Sequence, residues 1–318
     1  MTVYVVPFVH SGEEIFYDPH AHGDERIKSF IALREAIEDA GYNFRVTRTC
    51  ENLQNPVAIL SLCNIYSPVL ENIQHYPKEI CSLLVTEPPI LHPWLYDPRL
   101  KEIFGTIFVM FDDLVDNRNY FKFHHHQGRE APVANVPSFN EKKLCTLIQS
   151  NLSCSEPKEL YSKRAETARF FSSVPGFDLY GSGWEGYPAW RGNTPGDKLL
   201  LLRNYRFHLC YENMEEQRGF ITERIFESFY GGCVPVYWGA SNIDEYVSKE
   251  CYIDRRQFRS NEELYAYLQQ IDQSTYDAYL VAAKKYLQSP QAKLFSPKGF
   301  AKTILKKILP REPEGDHV

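Results

Sequence analysis

Two carboxylates, an asparagine and an arginine crowd the polar turn that links two apolar runs in the middle of the chain. Glu212 and Asn213 directly follow the run 207–211. Glu223 and Arg224 follow Thr222, at the start of an amphipathic segment that leads to a second apolar run ending at Gly239. Thr222 is a good N-cap, and Glu223 in a first helical turn suits the positive end of the dipole. Arg224 does not, because the dipole opposes a cation there unless an anion is bound. Helix amides beside a guanidinium that can fork two phosphate oxygens make an anion seat, with Glu223 left to accept from a ribose or sugar diol. Residue chemistry alone leaves this reading level with simple capping. For Glu212-Asn213, turn formation is the safer expectation.

Three further features carry chemistry on their face. Glu87 stands in Val85-Thr86-Glu87-Pro88-Pro89, just past an apolar run, and by residue type it is a loop acid. Gly181-Ser182-Gly183-Trp184-Glu185-Gly186 has the spacing of a dinucleotide-binding turn. Tyr187-Pro188 and the glycine- and proline-containing run behind it do not open a helix, so that fingerprint lacks its context. His124-His125-His126 suggests a metal, yet adjacent side chains diverge and no second Cys/His cluster lies nearby, so no metal site is expected.

The elements that must position these residues alternate. Apolar runs at 3–9, 44–47, 57–62, 80–85 and 106–111 read as strands, and 24–40 has apolar residues near a 3.6 period with Gly41 as C-cap. The polar stretch 128–140 reads as a linker. Beyond it come a strand at 144–150, a helix at 161–171, a strand at 177–180, the βαβ unit that ends at Gly239, a short strand at 252–253, and terminal helices. Such alternation argues for parallel sheets covered by helices on both faces. The expected domains are 1–140 and 141–318, the second including the C-terminal helices.

With 318 residues, 43% of them hydrophobic, there is material for a large core. A net charge of -6 without a basic stripe argues against nucleic acid as a partner. No apolar run reaches the roughly 18 residues of a membrane span. The N-terminus reads as a first strand rather than a signal peptide. The eight cysteines form no CxxC pair, which points to free thiols and a cytoplasmic location. Lys302, Lys306 and Lys307 interleave with apolar residues in a terminal helix. Packing onto the core is its expected role, and peripheral contact at the inner membrane is the alternative.

The segment YRFHLCYEN, followed after a short gap by GFITERIFESFYGGCVPVYWG, resembles the donor-binding signature of the α-1,3/1,4-fucosyltransferases, glycosyltransferase family 10, in a soluble form of bacterial type. Order, gap and flanking strands agree. The similarity is weaker upstream, and faint in the N-terminal part. The resemblance implies an α/β GT-B fold, two Rossmann-like doubly wound domains facing across a cleft. It also implies inverting transfer of L-fucose from GDP-fucose to a hydroxyl of an acceptor glycan, in α-1,3/1,4 linkage to GlcNAc or glucose. Asn213 and Glu223 match donor-binding positions. Arg224 stands where the family usually has Lys, so a cation at the diphosphate is kept. Phe220 stands where it usually has Tyr, so stacking on the nucleotide is kept and a phenolic hydrogen bond is lost. Lys198 matches a lysine often found before the strand, with a solvated helix charge as the equal alternative.

Inverting transfer needs a base for the acceptor hydroxyl. The resemblance assigns it to Glu87, with Asp112, Asp113 and Asp116 as fallback acids. Enzymes of this kind neutralise the leaving diphosphate with basic side chains and helix dipoles. No cofactor is therefore expected to be obligatory, and a divalent metal is at most stimulatory. Arg164 is the expected second phosphate cation, with Lys158 or Arg169 as alternatives and a solvated helix charge as its structural reading. The implied partners are GDP-fucose and an oligosaccharide or glycoconjugate acceptor. Two other readings stay open: an exostosin-like GT-B transferase of another nucleotide-sugar, and a glycan- or nucleotide-binding protein that has lost the base.

Overall fold

The alternating apolar runs assemble into two all-parallel sheets. In the computed structural model, which describes residues 1–21, 25–129, 131–194 and 196–310, the chain divides into two units: Met1–Gly128 with Leu294–Val318, and Arg129–Lys293. The first unit contains β1 (Thr2–Val6), α1 (Ile27–Asp39), β2 (Asn43–Val46), β3 (Pro56–Leu62), α2 (Val69–Ile73), β4 (Cys81–Leu84), β5 (Thr106–Val109) and β6 (Tyr120–Lys122), with its strands in the order β2-β1-β3-β4-β5-β6. Asp24, at the expected start of the first helix, lies outside the described residues. Strand β6 was not expected from the sequence. It is three residues long, and its approach is a turn that Asp116 holds by accepting from the amides of Arg118, Asn119 and Tyr120 at 2.8–2.9 Å.

The second unit contains β7 (Lys143–Ile148), α3 (Tyr161–Phe171), β8 (Phe177–Tyr180), α4 (Lys198–Leu202), β9 (Tyr205–Tyr211), α5 (Glu223–Tyr230), β10 (Val234–Trp238), β11 (Ile253–Asp254), α6 (Asn261–Gln270), α7 (Gln273–Leu287) and α8 (Pro290–Lys293). Its strand order is β11-β10-β9-β7-β8. Strands covered on both faces bury nearly every side chain, as β1 and β8 do throughout and β9 does at all but one position. In each sheet the winding direction reverses once, between β1 and β3 and between β7 and β9. The crevice outside the carboxyl ends of the strands at such a reversal is where α/β sheets hold ligands.

The last helix departs from the expected domain plan. Helix α9 (Pro297–Ile308) belongs with the first unit, where its buried stripe includes Phe300, Ala301 and Ile304. Phe300 meets the ring of Phe30 on α1 at 5.8 Å and that of Phe123 at 6.4 Å. Stretch 128–140 does hold one crossing between the units, at Gly128/Arg129, but the chain crosses back at Lys293/Leu294. An amphipathic stripe declares that a helix packs, not which core it covers. The eight cysteines are free thiols, six of them buried. No helix among the described residues is long and apolar enough to cross a membrane. Phe300→Ala should cost about 3–5 kcal/mol of unfolding free energy, read from denaturant midpoints. A variant as stable as the parent would show that α9 is not part of this core.

Candidate functional site

Strand β9 is central in its sheet, paired with β10 on one side and β7 on the other. Its carboxyl end therefore opens at the reversal point. Glu212, the next residue, is fully buried, and its amide donates to the Trp238 carbonyl at 2.8 Å, extending the ladder with β10 by one step. The carboxylate accepts from the Thr222 amide, the Thr222 hydroxyl and Arg224 Nη1, each at 2.8 Å. Only glycine fits opposite it: a Cβ on Gly239 would stand 2.5 Å from Glu212 Cγ. Burial holds the Glu212 carboxyl above its ordinary range, and Arg224 and Thr222 offset this only in part. Burial also opposes the charge on Arg224, but the carboxylates of Glu212 and Glu223 more than offset this and hold it above the ordinary guanidinium range.

Thr222 takes the N-cap position of α5 in an extended conformation, yet its side chain does not cap the helix. Its hydroxyl serves Glu212 instead and accepts from Arg224 Nη1 at 2.9 Å. The expected cap is thus missing. The first-turn amides of α5 receive no side-chain acceptor from their cap residue, Thr222.

Asn213 sits between two guanidinium groups, its Oδ1 accepting from Arg164 Nη2 at 2.8 Å and Arg224 Nη2 at 3.3 Å. Arg164 lies in the first turn of α3, is 2% exposed, and also donates to the Tyr211 carbonyl at 2.9 Å. The reading of Arg164 as a solvated helix charge is therefore excluded. Burial and then the neighbouring Arg224 push its pKa down to about 9. Two cations converging on one amide oxygen are poised for a multiply charged anion, which would relieve both desolvation and mutual repulsion. Backbone bonds from Leu160 to Asn213 and from Glu215 to Lys158 tie the start of α3 to the loop after β9 and fix the spacing of the pair. Glu223, half-buried in the first turn of α5, completes the group.

Two expected donor residues take other roles. The ring of Phe220 is fully buried, so it offers no face on which a base could stack, and it supports the loop from inside. Lys198, at the start of α4, places its ammonium 2.8 and 2.9 Å from the carboxylate oxygens of Glu227, which joins α4 to α5. Of the alternatives to Arg164, Lys158 is paired with Glu216 at 3.4 Å, and Arg169 is exposed. The sequence reading missed Glu212 as the centre of the arrangement. The signal was present: an acid immediately beyond an apolar strand, with a glycine ending the neighbouring strand.

In the first unit, Glu87 follows β4 and is half-buried, its backbone carbonyl held by the Tyr96 hydroxyl at 2.7 Å. It lines a cavity of about 220 Å3 with Arg26, Ser11, Thr86, His125 and His126. His125 and His126 lie ring over ring at 5.3 Å, and His126 packs on Phe30 and Phe300. Of the fallback acids, Asp112 is bound by Lys122 at 2.7 Å, Asp116 holds the turn before β6, and Asp113 is exposed. The glycine-rich stretch after Tyr180 forms turns rather than a helix, with Trp184 buried and donating to the Gln149 carbonyl at 2.5 Å.

Glu212→Ala removes the carboxylate that holds the half-buried Arg224 and Thr222, and should cost about 1–3 kcal/mol of stability in chemical denaturation. A second prediction concerns His208, a buried β9 residue whose Nδ1 lies 2.8 Å from the Ser228 hydroxyl. Burial, then Lys198 and Arg224, push its pKa from 6.5 down to about 3. Below pH 6.5 the unfolded chain binds the extra proton. Stability present above that pH should fall by about 1.4 kcal/mol per pH unit on acidification until about pH 3, a slope that His208→Gln should remove from the pH dependence of Tm.

The model of the family described as glycosyltransferase family 10 (fucosyltransferase), C-terminal part, matches residues 138–296, half of the chain. An α-(1,4)-fucosyltransferase of Arabidopsis thaliana is 35% identical over 80 residues, which are 24% of this chain and 20% of that protein. The chain thus spans about a fifth of the length of that curated relative. Among solved structures, an α1,3-fucosyltransferase with GDP-fucose superposes with a TM-score of 0.60 at 15% identity, over 100% of this chain and 91% of the other. A DNA-modifying β-glucosyltransferase superposes with a TM-score of 0.59 at 13% identity, over 97% and 99%. At such identities these two likenesses carry the fold alone, which is GT-B. Profile, signature segment and fold agree: the chain belongs to glycosyltransferase family 10.

Proposed function

We propose that this protein is an inverting fucosyltransferase that moves L-fucose from GDP-fucose to a hydroxyl of an acceptor glycan, in α-1,3 or α-1,4 linkage to GlcNAc or glucose. The carrying observation is the placement of Asn213 between the guanidinium groups of Arg164 and Arg224 at the uncapped start of α5. A sugar diphosphate offers oxygens to both guanidinium groups and the negative charge that the buried Arg164 lacks, and Glu223 supplies an acceptor for a diol. The fold does not choose the donor, since a β-glucosyltransferase is matched almost as well as a fucosyltransferase. The family and these side chains do.

In the transfer step the acceptor oxygen bonds to the anomeric carbon of fucose as the bond from that carbon to the diphosphate oxygen breaks. The electron pair leaves with GDP, and the hydroxyl proton passes to the Glu87 carboxylate. The growing charge on the leaving diphosphate falls on Arg224 and Arg164, and electrostatic stabilisation of that kind is a large term in catalysis. On this reading no metal is obligatory, and a divalent ion is at most stimulatory. The free, mostly buried thiols favour a reducing cytoplasm as its location.

Thermal-shift titration with GDP, GDP-fucose, GDP-mannose and UDP-sugars tests the donor. Stabilisation by GDP and GDP-fucose is expected, and stabilisation by UDP alone would overturn the assignment. Glu87→Gln should reduce transfer by about 10²–10⁴-fold while leaving the GDP-induced shift in place. Unchanged turnover removes Glu87 as the base. Turnover should also survive EDTA.

A further inference from the structure

A polar cavity opens at the carboxyl edge of the second unit's sheet, and neither Arg164, Asn213, Glu223 nor Arg224 lines it. It has a volume of about 410 Å3 and lies among the ends of β10 and β11, helix α3 and the loop after Asn213. That volume falls within the roughly 300–1,000 Å3 of small-molecule sites. One wall is the half-buried indole of Trp238, fixed in orientation on three sides. The buried Arg255 guanidinium lies 5.1 Å from its ring centre, the Tyr211 ring meets it nearly edge-on at 5.5 Å, and its Nε1 donates to the Glu215 carboxylate at 2.9 Å.

The rest of the lining alternates in charge. Glu166, Glu215 and Glu216 face the same space as Lys163, Arg256 and Arg259. Most of these ions already have a partner: Lys163 pairs with Glu166 at 3.3 Å, Arg256 with Asp254 at 2.7 Å, and Glu216 with Lys158 at 3.4 Å. An inorganic anion entering here meets three carboxylates, and of the four cations of the lining Lys163 and Arg256 already hold a carboxylate. A polyol meets what it needs, since each hydroxyl both donates and accepts and finds carboxylate and guanidinium side by side. The apolar face of a pyranose ring matches an immobilised indole.

We infer that this cavity is a saccharide-binding site for a neutral mono- or disaccharide, separate from the nucleotide seat. It goes beyond the proposed transfer reaction and does not depend on it, because its test reads binding and not turnover. The probe is methyl β-lactoside, followed by saturation-transfer NMR and by Trp fluorescence on the full chain held in saturating GDP. Glu166→Ala and Arg259→Ala alter exposed side chains of the lining and leave the nucleotide seat and the core untouched. The lactoside should bind with GDP present, and the double variant should weaken it by about tenfold or more, the loss of two hydrogen-bonded contacts, with GDP affinity unchanged. The inference is overturned if the variant binds the lactoside as the parent does, if GDP displaces the sugar, or if inorganic sulfate competes for the cavity at equal concentration.

Discussion

A carboxylate with no access to water must be neutralised where it stands, and Glu212 is such a group. It cannot be satisfied from its own strand, because its amide is spent on the ladder with β10. The loop after β9 therefore returns Thr222 and Arg224 to it, and three consequences follow. Thr222 spends its hydroxyl on Glu212 and does not cap α5 with its side chain. Arg224 is fixed in position and in charge. Asn213, one residue beyond, is held where a second guanidinium from α3 reaches it. A buried ion pair of this kind is weak as a source of net stability and strong as a determinant of geometry. Here it fixes Arg224 and Asn213 beside Arg164, the geometry on which the proposed anion seat rests.

The fold supplies the remaining constraints. In a doubly wound sheet the strand ends at the reversal point are the one place where backbone and side chains open outward without breaking the core. The second unit uses its reversal between β7 and β9 for the arginine pair. In the first unit, Glu87 emerges past β4 into a small cavity whose walls include Arg26 and two stacked histidines. The triad His124-His125-His126 thus acquires a packing role through Phe30, Phe295 and Phe300, rings that α1 and the C-terminal segment bring together.

Much of this was legible in the chain itself. Helix 161–171 and strand 177–180 were readable to the residue, because unbroken apolar or amphipathic runs are bounded there by polar turns. Arg224 stood out because a cation in a first helical turn conflicts with the dipole, and a conflict of that kind marks a candidate site, whereas Asn213 read as a turn former and was singled out only by the family resemblance. What failed depended on partners distant in sequence. Phe220 looks like a stacking ring until the loop is folded and its faces are covered. Lys198 looks like a solvated or phosphate-binding cation until α4 and α5 bring Glu227 beside it. Arg164 was proposed on loose grounds, and its burial shows it far more firmly placed than the exposed Arg169 five residues along. Glu212 read as a turn former because nothing local reveals that Thr222 and Arg224 return to it. The final helix was assigned to the wrong unit because its apolar stripe carries no address.

The claim on which the account turns is that Arg164 and Arg224 hold the diphosphate rather than the base or the sugar. Calorimetric titration of guanosine, GMP and GDP into the protein and into Arg224→Gln measures it directly. Affinity in the parent should climb with each phosphate added, and in the variant the step from GMP to GDP should collapse while guanosine binds as before. A variant that keeps the full GMP-to-GDP step, or that loses guanosine and GDP alike, would contradict the assignment of this arginine pair.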